Sequence, residues 1–164
     1  IGLLVCACAK EMSKEFTEDI INARKDINIS KEDLSTLLNI IPLASHNQRA
    51  KGTITVEIDN VETNSIDIMD LVNIIENSMS GKVGSVLKRP QEAELVRSAH
   101  LNPLFAEDAV REMAKNFNKK KFSNLKDDSR VKFEITSYES IHSYNVFAEL
   151  NITVGELKKA FNDF

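Results

Sequence analysis

Tryptophan is absent from this chain, and glycine and proline number only 5 and 3 in 164 residues. Few tight turns or hinges are therefore encoded. Cysteine occurs only as Cys6 and Cys8, so from residue 9 to 164 there is no disulfide staple, no thiol nucleophile and no thiolate metal ligand. Two residues apart, Cys6 and Cys8 are poorly spaced for a mutual disulfide and too few for a metal site. There is no basic excess. The net charge is −4, which argues against nucleic acid as a partner, because phosphate neutralisation requires a basic face. No apolar run approaches the ~20 residues needed to span a bilayer. No internal repeat or low-complexity tract stands out.

What is present suits a soluble globular chain. It is 42% hydrophobic and 28% charged, and its length accommodates one domain with an extension. The first nine residues are apolar and end abruptly at Lys10. Three readings fit them. Val5-Cys6-Ala7-Cys8 resembles a lipobox, which would make Cys8 the lipid-attachment residue and anchor the protein without a spanning helix. Ala7-Cys8-Ala9 also fits a signal-peptidase site, which would release a secreted soluble protein. The third reading is a buried N-terminal strand.

Residues 10–52 read as a helical lead-in. Met12, Phe16 and Ile20 recur every four residues, and Ser30 is placed to cap a second helix bearing Leu34, Leu37, Leu38 and Ile41. The domain proper is expected over 53–164. Ile54, Val56 and Ile58 alternate as a strand. A helix follows with Met79, Ile75, Val72, Leu71 and Ile68 on one face, capped by Asn64 or Ser65 and closed by a left-handed Gly81. A short strand next completes a βαβ unit, which implies parallel pairing. Two helices follow, one opened by Pro90 with Ala93, Val96 and Leu101 inward, the other striped by Phe105, Ala109, Val110, Met113 and Phe117. Val131, Phe133 and Ile135, then Val146, Ala148, Leu150 and Ile152, predict an antiparallel strand pair, with Phe147 hinting at cover on the second face. A last helix carries Leu157, Ala160, Phe161 and Phe164. The expected class is α/β (α+β), a mixed sheet of about four strands in the order β-α-β-α-α-β-β-α.

Motifs for chemistry are sparse. His46, His100 and His142 lie far apart, and none has a second ligand at helical or turn spacing, so no metal site is expected. Gly81-Lys82-Val83-Gly84-Ser85 lacks phosphate-loop spacing and precedes a strand. Asp59, Glu62, Asp67 and Asp70 lack the pattern of a calcium loop and suit a helix start. Lys119-Lys120-Lys121 beside Phe117 and Phe122 reads as a solvated loop rather than a nucleic-acid contact. Asn28-Ile29-Ser30 and Asn151-Ile152-Thr153 match the glycosylation acceptor pattern. No catalytic residue, cofactor or small-molecule substrate is indicated.

The stretch from Val56 to Asp67, reading Val-Glu-Ile-Asp-Asn-Val-Glu-Thr-Asn-Ser-Ile-Asp, with the helix that closes near Gly81-Lys82, resembles the penicillin-binding-protein activator lipoproteins of the LpoB type. Their domain is similar to the N-terminal domain of TolB and to CsgG. The resemblance implies a non-enzymatic periplasmic lipoprotein, held at the outer membrane through Cys8, that binds and regulates an envelope protein such as a peptidoglycan synthase. Asp59, Asn60, Thr63 and Asn64 are then its interaction candidates, on a polar loop held by rigid elements. A structural lipoprotein of a secretion-system or flagellar assembly, and a secreted protein without a membrane role, are the alternatives.

Overall fold

A computed structural model describes residues 1–7, 29–40, 45–59 and 66–162. Among these, the elements in chain order are β1 (Gly2–Val5), α1 (Lys31–Ile40), β2 (Asn47–Val56), α2 (Ile68–Asn77), β3 (Gly81–Lys82), α3 (Arg89–Leu101), α4 (Ala106–Lys120), β4 (Arg130–Ser137), β5 (Val146–Thr153) and α5 (Val154–Asn162). The strands form one sheet in the order β3-β1-β2-β4-β5, and every neighbouring pair is antiparallel.

The α+β class matches the expectation, but the sheet has five strands, not four, and no parallel pair. The added strand is β1. Its Leu4 and Val5 are fully buried, and it lies between β2 and β3. β2 and β3 therefore run in the same direction, as a βαβ unit requires, yet they never touch. Four apolar residues at a chain start look like the tail of a leader. Here they fill the middle of a sheet, and the Val5 backbone N–H is satisfied by the buried Ser80 hydroxyl at 3.2 Å.

The core lies between one sheet face and the helices. Val131, Phe133 and Ile135 on alternate positions of β4 are fully buried. Against them α4 sets Ala109, Val110, Met113 and Phe117, an i, i+1, i+4, i+8 stripe. The Phe117 ring meets Phe133 edge-on at 5.5 Å between centroids. On the opposite sheet face Arg49, Lys51, Thr55 and Phe147 are exposed, so the cover expected over Phe147 is not found among the described residues. Lys132 lies between Glu134 at 2.8 Å and Glu149 at 3.2 Å on this face. Its hydrogen bonds to Glu134 and then Glu149 hold its ammonium above the usual lysine range.

Several local expectations shift. Helix α2 is capped by Asp67, whose carboxylate accepts from the Met69 N–H at 2.9 Å, two or three residues later than the Ser65 or Asn64 cap expected. Its inward face keeps Leu71, Ile75 and Met79 as expected and adds Ile74, while Ile68 is exposed. Gly81 is not a left-handed cap, since no described glycine has positive φ. It opens β3 under α3, where a Cβ would stand 3.0 Å from Leu95 Cδ1 and 3.2 Å from Ala99 Cβ. Close approach of helix and strand, not φ, is what that position requires. On α3 the inward residues are Ala99 and His100, whereas Val96 and Leu101 are exposed. The Ser30 cap holds as expected: its hydroxyl accepts from the Asp33 N–H at 3.0 Å.

Candidate functional site

The site forms at the end of the sheet where β2 begins and β4 finishes. These strands are antiparallel neighbours, with Ala50 opposite Ser137. Residues just before β2 therefore meet residues just after β4. A cavity of about 410 Å³ opens there, lined among others by Cys6, His46, Gln48, Glu139, His142 and Tyr144. The first turn of α4 closes another side with Phe105, Ala106 and Glu107. Gln48, Ala50 and the other even positions of β2 point to the helix-covered face, so Gln48 is buried and His46 continues that side beyond the strand.

The polar groups form one connected set. The Gln48 amide Nε2 donates to Ser137 Oγ at 3.2 Å and to Glu139 Oε1 at 3.0 Å. The Ser137 hydroxyl donates to the same Glu139 oxygen at 2.8 Å. Gln48 Oε1 lies 2.9 Å from His46 Nδ1, and Ser140 Oγ is 3.2 Å from that nitrogen. The His142 ring stands edge-on to His46 with centroids 6.4 Å apart, and stacks on Tyr144 at 5.2 Å. The backbone holds the rim together. The Cys6 N–H donates to the His46 carbonyl at 3.3 Å, and the Leu104 N–H to the Val5 carbonyl at 3.0 Å. Two imidazoles, a half-buried carboxylate and a buried amide thus converge on a pocket with aromatic walls. These are groups suited to moving protons at a bound planar ligand.

The three histidines divide. His46 and His142, 96 positions apart in the chain, come together; His100 does not join them. It is buried at the end of α3, with Nδ1 2.8 Å from the Val96 carbonyl and Nε2 3.3 Å from the Ser45 carbonyl. It ties α3 to the segment leading into β2. Spacing along the chain could not reveal the His46–His142 pair. The β2–β4 register could: continued four residues past Ala50, it sets position 46 opposite 141.

Of the interaction candidates, Asp59 is exposed and ion-paired with Lys126, away from this cavity. That hydrogen bond holds the Lys126 ammonium above its usual range. Cys8, Asn60, Thr63 and Asn64 lie outside the described residues. Among the described residues, no three His, Cys, Asp or Glu side chains stand close enough together to hold a metal ion. No described helix is long and apolar enough to cross a membrane.

The domain is antiparallel α+β, with acid–base side chains gathered at one end of its sheet. The family model for type I GTP cyclohydrolase folE2 matches residues 2–148, and the chain belongs to that family. It is 43% identical over 159 residues to GTP cyclohydrolase MptA 1 of Methanocella arvoryzae, a match covering 97% of the chain and 49% of that relative. MptA 2 of the same organism is 40% identical over 158 residues, covering 96% and 49%. GTP cyclohydrolase MptA of Methanocaldococcus jannaschii is 40% identical over 159 residues, covering 97% and 49%. The chain thus spans about half the length of these relatives.

Membership overturns the likeness to LpoB-type lipoproteins and the function drawn from it. The family is one of enzymes, so the non-enzymatic envelope regulator, the structural assembly component and the secreted protein without a membrane role all fall. With them go the penicillin-binding-protein partner, the periplasmic placement and the lack of a small-molecule substrate. The likeness rested on one short stretch around Asp59–Asp67, where a strand end, polar loop and capped helix recur in many α+β folds.

Proposed function

We propose that the protein opens a ring of GTP by hydrolysis and that the cavity between β2, β4 and α4 takes part in binding and reaction. The observation that carries this reading is the convergence of His46, His142 and Glu139 in one pocket of a chain matched to the folE2 family over residues 2–148. Hydrolytic ring opening requires water to lose a proton as its oxygen attacks a ring carbon. The ring nitrogen must gain a proton as the carbon–nitrogen bond breaks. Imidazole serves both ends of that transfer, because it changes charge near neutral pH. Two imidazoles with centroids 6.4 Å apart stand close enough to act on one bound ring. Tyr144 and Phe105 offer aromatic faces to a purine, and Glu139 and Glu107 offer carboxylates to its N–H groups.

The test uses the protein expressed at the full length of its reading frame. Incubated with GTP, it should yield a product heavier by one water, or its fragments, seen by mass spectrometry, while ATP is left intact. His46→Ala and His142→Ala should each slow GTP loss by about 10²–10⁴-fold with the thermal transition preserved. Undiminished rates in both variants would place the reaction elsewhere, and unchanged GTP with the folded wild-type protein would refute the activity.

A further inference from the structure

The connected polar set fixes more than position. We infer that Gln48 is a positioning residue which locks His46 in the tautomer protonated on Nδ1, so that Nε2 keeps its lone pair in the cavity. A carboxylate only accepts hydrogen bonds, so the Gln48 group 3.0 Å from Glu139 Oε1 has to be the amide nitrogen. The amide orientation is thereby fixed, and the other end, Oε1, faces His46 Nδ1 at 2.9 Å. An amide oxygen also only accepts, so Nδ1 carries the hydrogen. Ser140 cannot reverse this, because its hydroxyl both donates and accepts and follows whichever form the amide dictates. Ser137 is equally permissive, donating its own proton to Glu139 at 2.8 Å while accepting from Gln48.

The arrangement is well insulated. Gln48 is 8% exposed and Ser137 2%, so solvent competes poorly for the amide. Gln48 is also held in β2, paired with Leu4 of β1. An imidazole with Nδ1 committed in this way presents a single basic nitrogen in a single ring orientation. The part this plays in turnover rests on the ring-opening function proposed above; the tautomer itself does not.

Nuclear magnetic resonance of the protein labelled with ¹⁵N-histidine tests the two separately. At a pH where His46 is neutral, wild type should show the Nδ1–H form in excess by about tenfold, in keeping with the bond that would be lost. Gln48→Leu should bring the two forms within about threefold of each other. Because Leu in a polar wall could disturb folding, Glu139→Gln provides a second arm. It keeps the shape but frees the Gln48 amide to turn over, and the ratio should again fall towards unity. A wild-type protein dominated by the Nε2–H form, or a ratio unmoved in the folded variants, would overturn the assignment. In GTP turnover, Gln48→Leu should lower kcat about tenfold or more and leave KM within about twofold. If the tautomer ratio responds as expected but wild type leaves GTP intact, the ring-opening function fails and the role of Gln48 stands.

Discussion

Phe133 shows how much one side chain holds in this fold. It is fully buried in β4, touches Phe117 of α4 edge-on and pairs across the sheet with Leu150 and Ile54. Phe133→Ala removes the ring and leaves a cavity walled by elements that cannot all collapse into it. A loss of about 3–5 kcal/mol is expected, read as a lower urea midpoint with an unchanged slope. Residues of this kind were legible in the sequence. Val131, Phe133 and Ile135 alternate with Lys132, Glu134 and Thr136, and period-two burial needs no tertiary knowledge to recognise. The pocket residues were not. His46, Glu139 and His142 acquire meaning only through the register that sets β2 against β4, and a non-local pairing leaves no trace in local spacing.

At the scale of elements, α5 shows what a strand-to-helix junction requires. Thr153 ends β5 and Val154 starts the helix with no residue between. Every N–H of the first turn then needs a partner from outside the helix. Val154 finds the Ser129 carbonyl at 2.9 Å, and Gly155 the Asp127 carbonyl at 2.8 Å. Glu156 N–H donates to Thr153 Oγ1 at 3.2 Å, and the Glu156 carboxylate in return accepts from the Thr153 N–H and hydroxyl, each at 2.9 Å. This is a reciprocal capping box. Thr153→Ala should cost about 1 kcal/mol in denaturant unfolding. The carboxylate adds a pH signature. Its hydrogen bonds, first from the Thr153 N–H, hold Glu156 below the usual glutamate range. A group whose pKa is lower folded than unfolded adds stability above the unfolded value and loses it as pH falls through the folded one. Glu156→Gln should therefore lower the thermal midpoint at pH 7, and the deficit should close as pH drops below about 4.3. A deficit as large at pH 3 as at pH 7 would show that the carboxylate's charge is not what the cap uses. The cap was within reach of the sequence, since Thr-x-x-Glu stands at 153–156, but the strand running up to Thr153 draws attention away from it.

The whole molecule turns on β1. Sequence reasoning sets 1–9 outside the domain because a short apolar stretch followed by charge has the composition of a leader. Composition cannot distinguish that from a strand hydrogen-bonded on both edges. In the folded chain Gly2–Val5 pairs with Asn47–Ala50 on one side and Gly81–Lys82 on the other, and it supplies one wall of the candidate site through Leu4 and Cys6. Removing residues 1–6 strands β3 and the helix above it, α3, because among the described residues β3 bonds to no other strand. It also exposes apolar surface on Met79 and Ala50, both buried in the same core as Leu4. Burial of Leu4 and Val5 alone is worth about 1.5–3 kcal/mol each, before the ladder hydrogen bonds are counted. That is a large share of the 5–15 kcal/mol typical of a domain. A protein starting at residue 7 should therefore unfold at much lower urea, with a shallower and less cooperative transition by circular dichroism. Dispersion of the Gly81, Lys82 and Ala99 amide resonances should collapse first. A removable leader predicts the reverse, an unchanged midpoint and an unchanged spectrum for α3, so the truncation decides between a strand that builds the sheet and a segment the fold can do without.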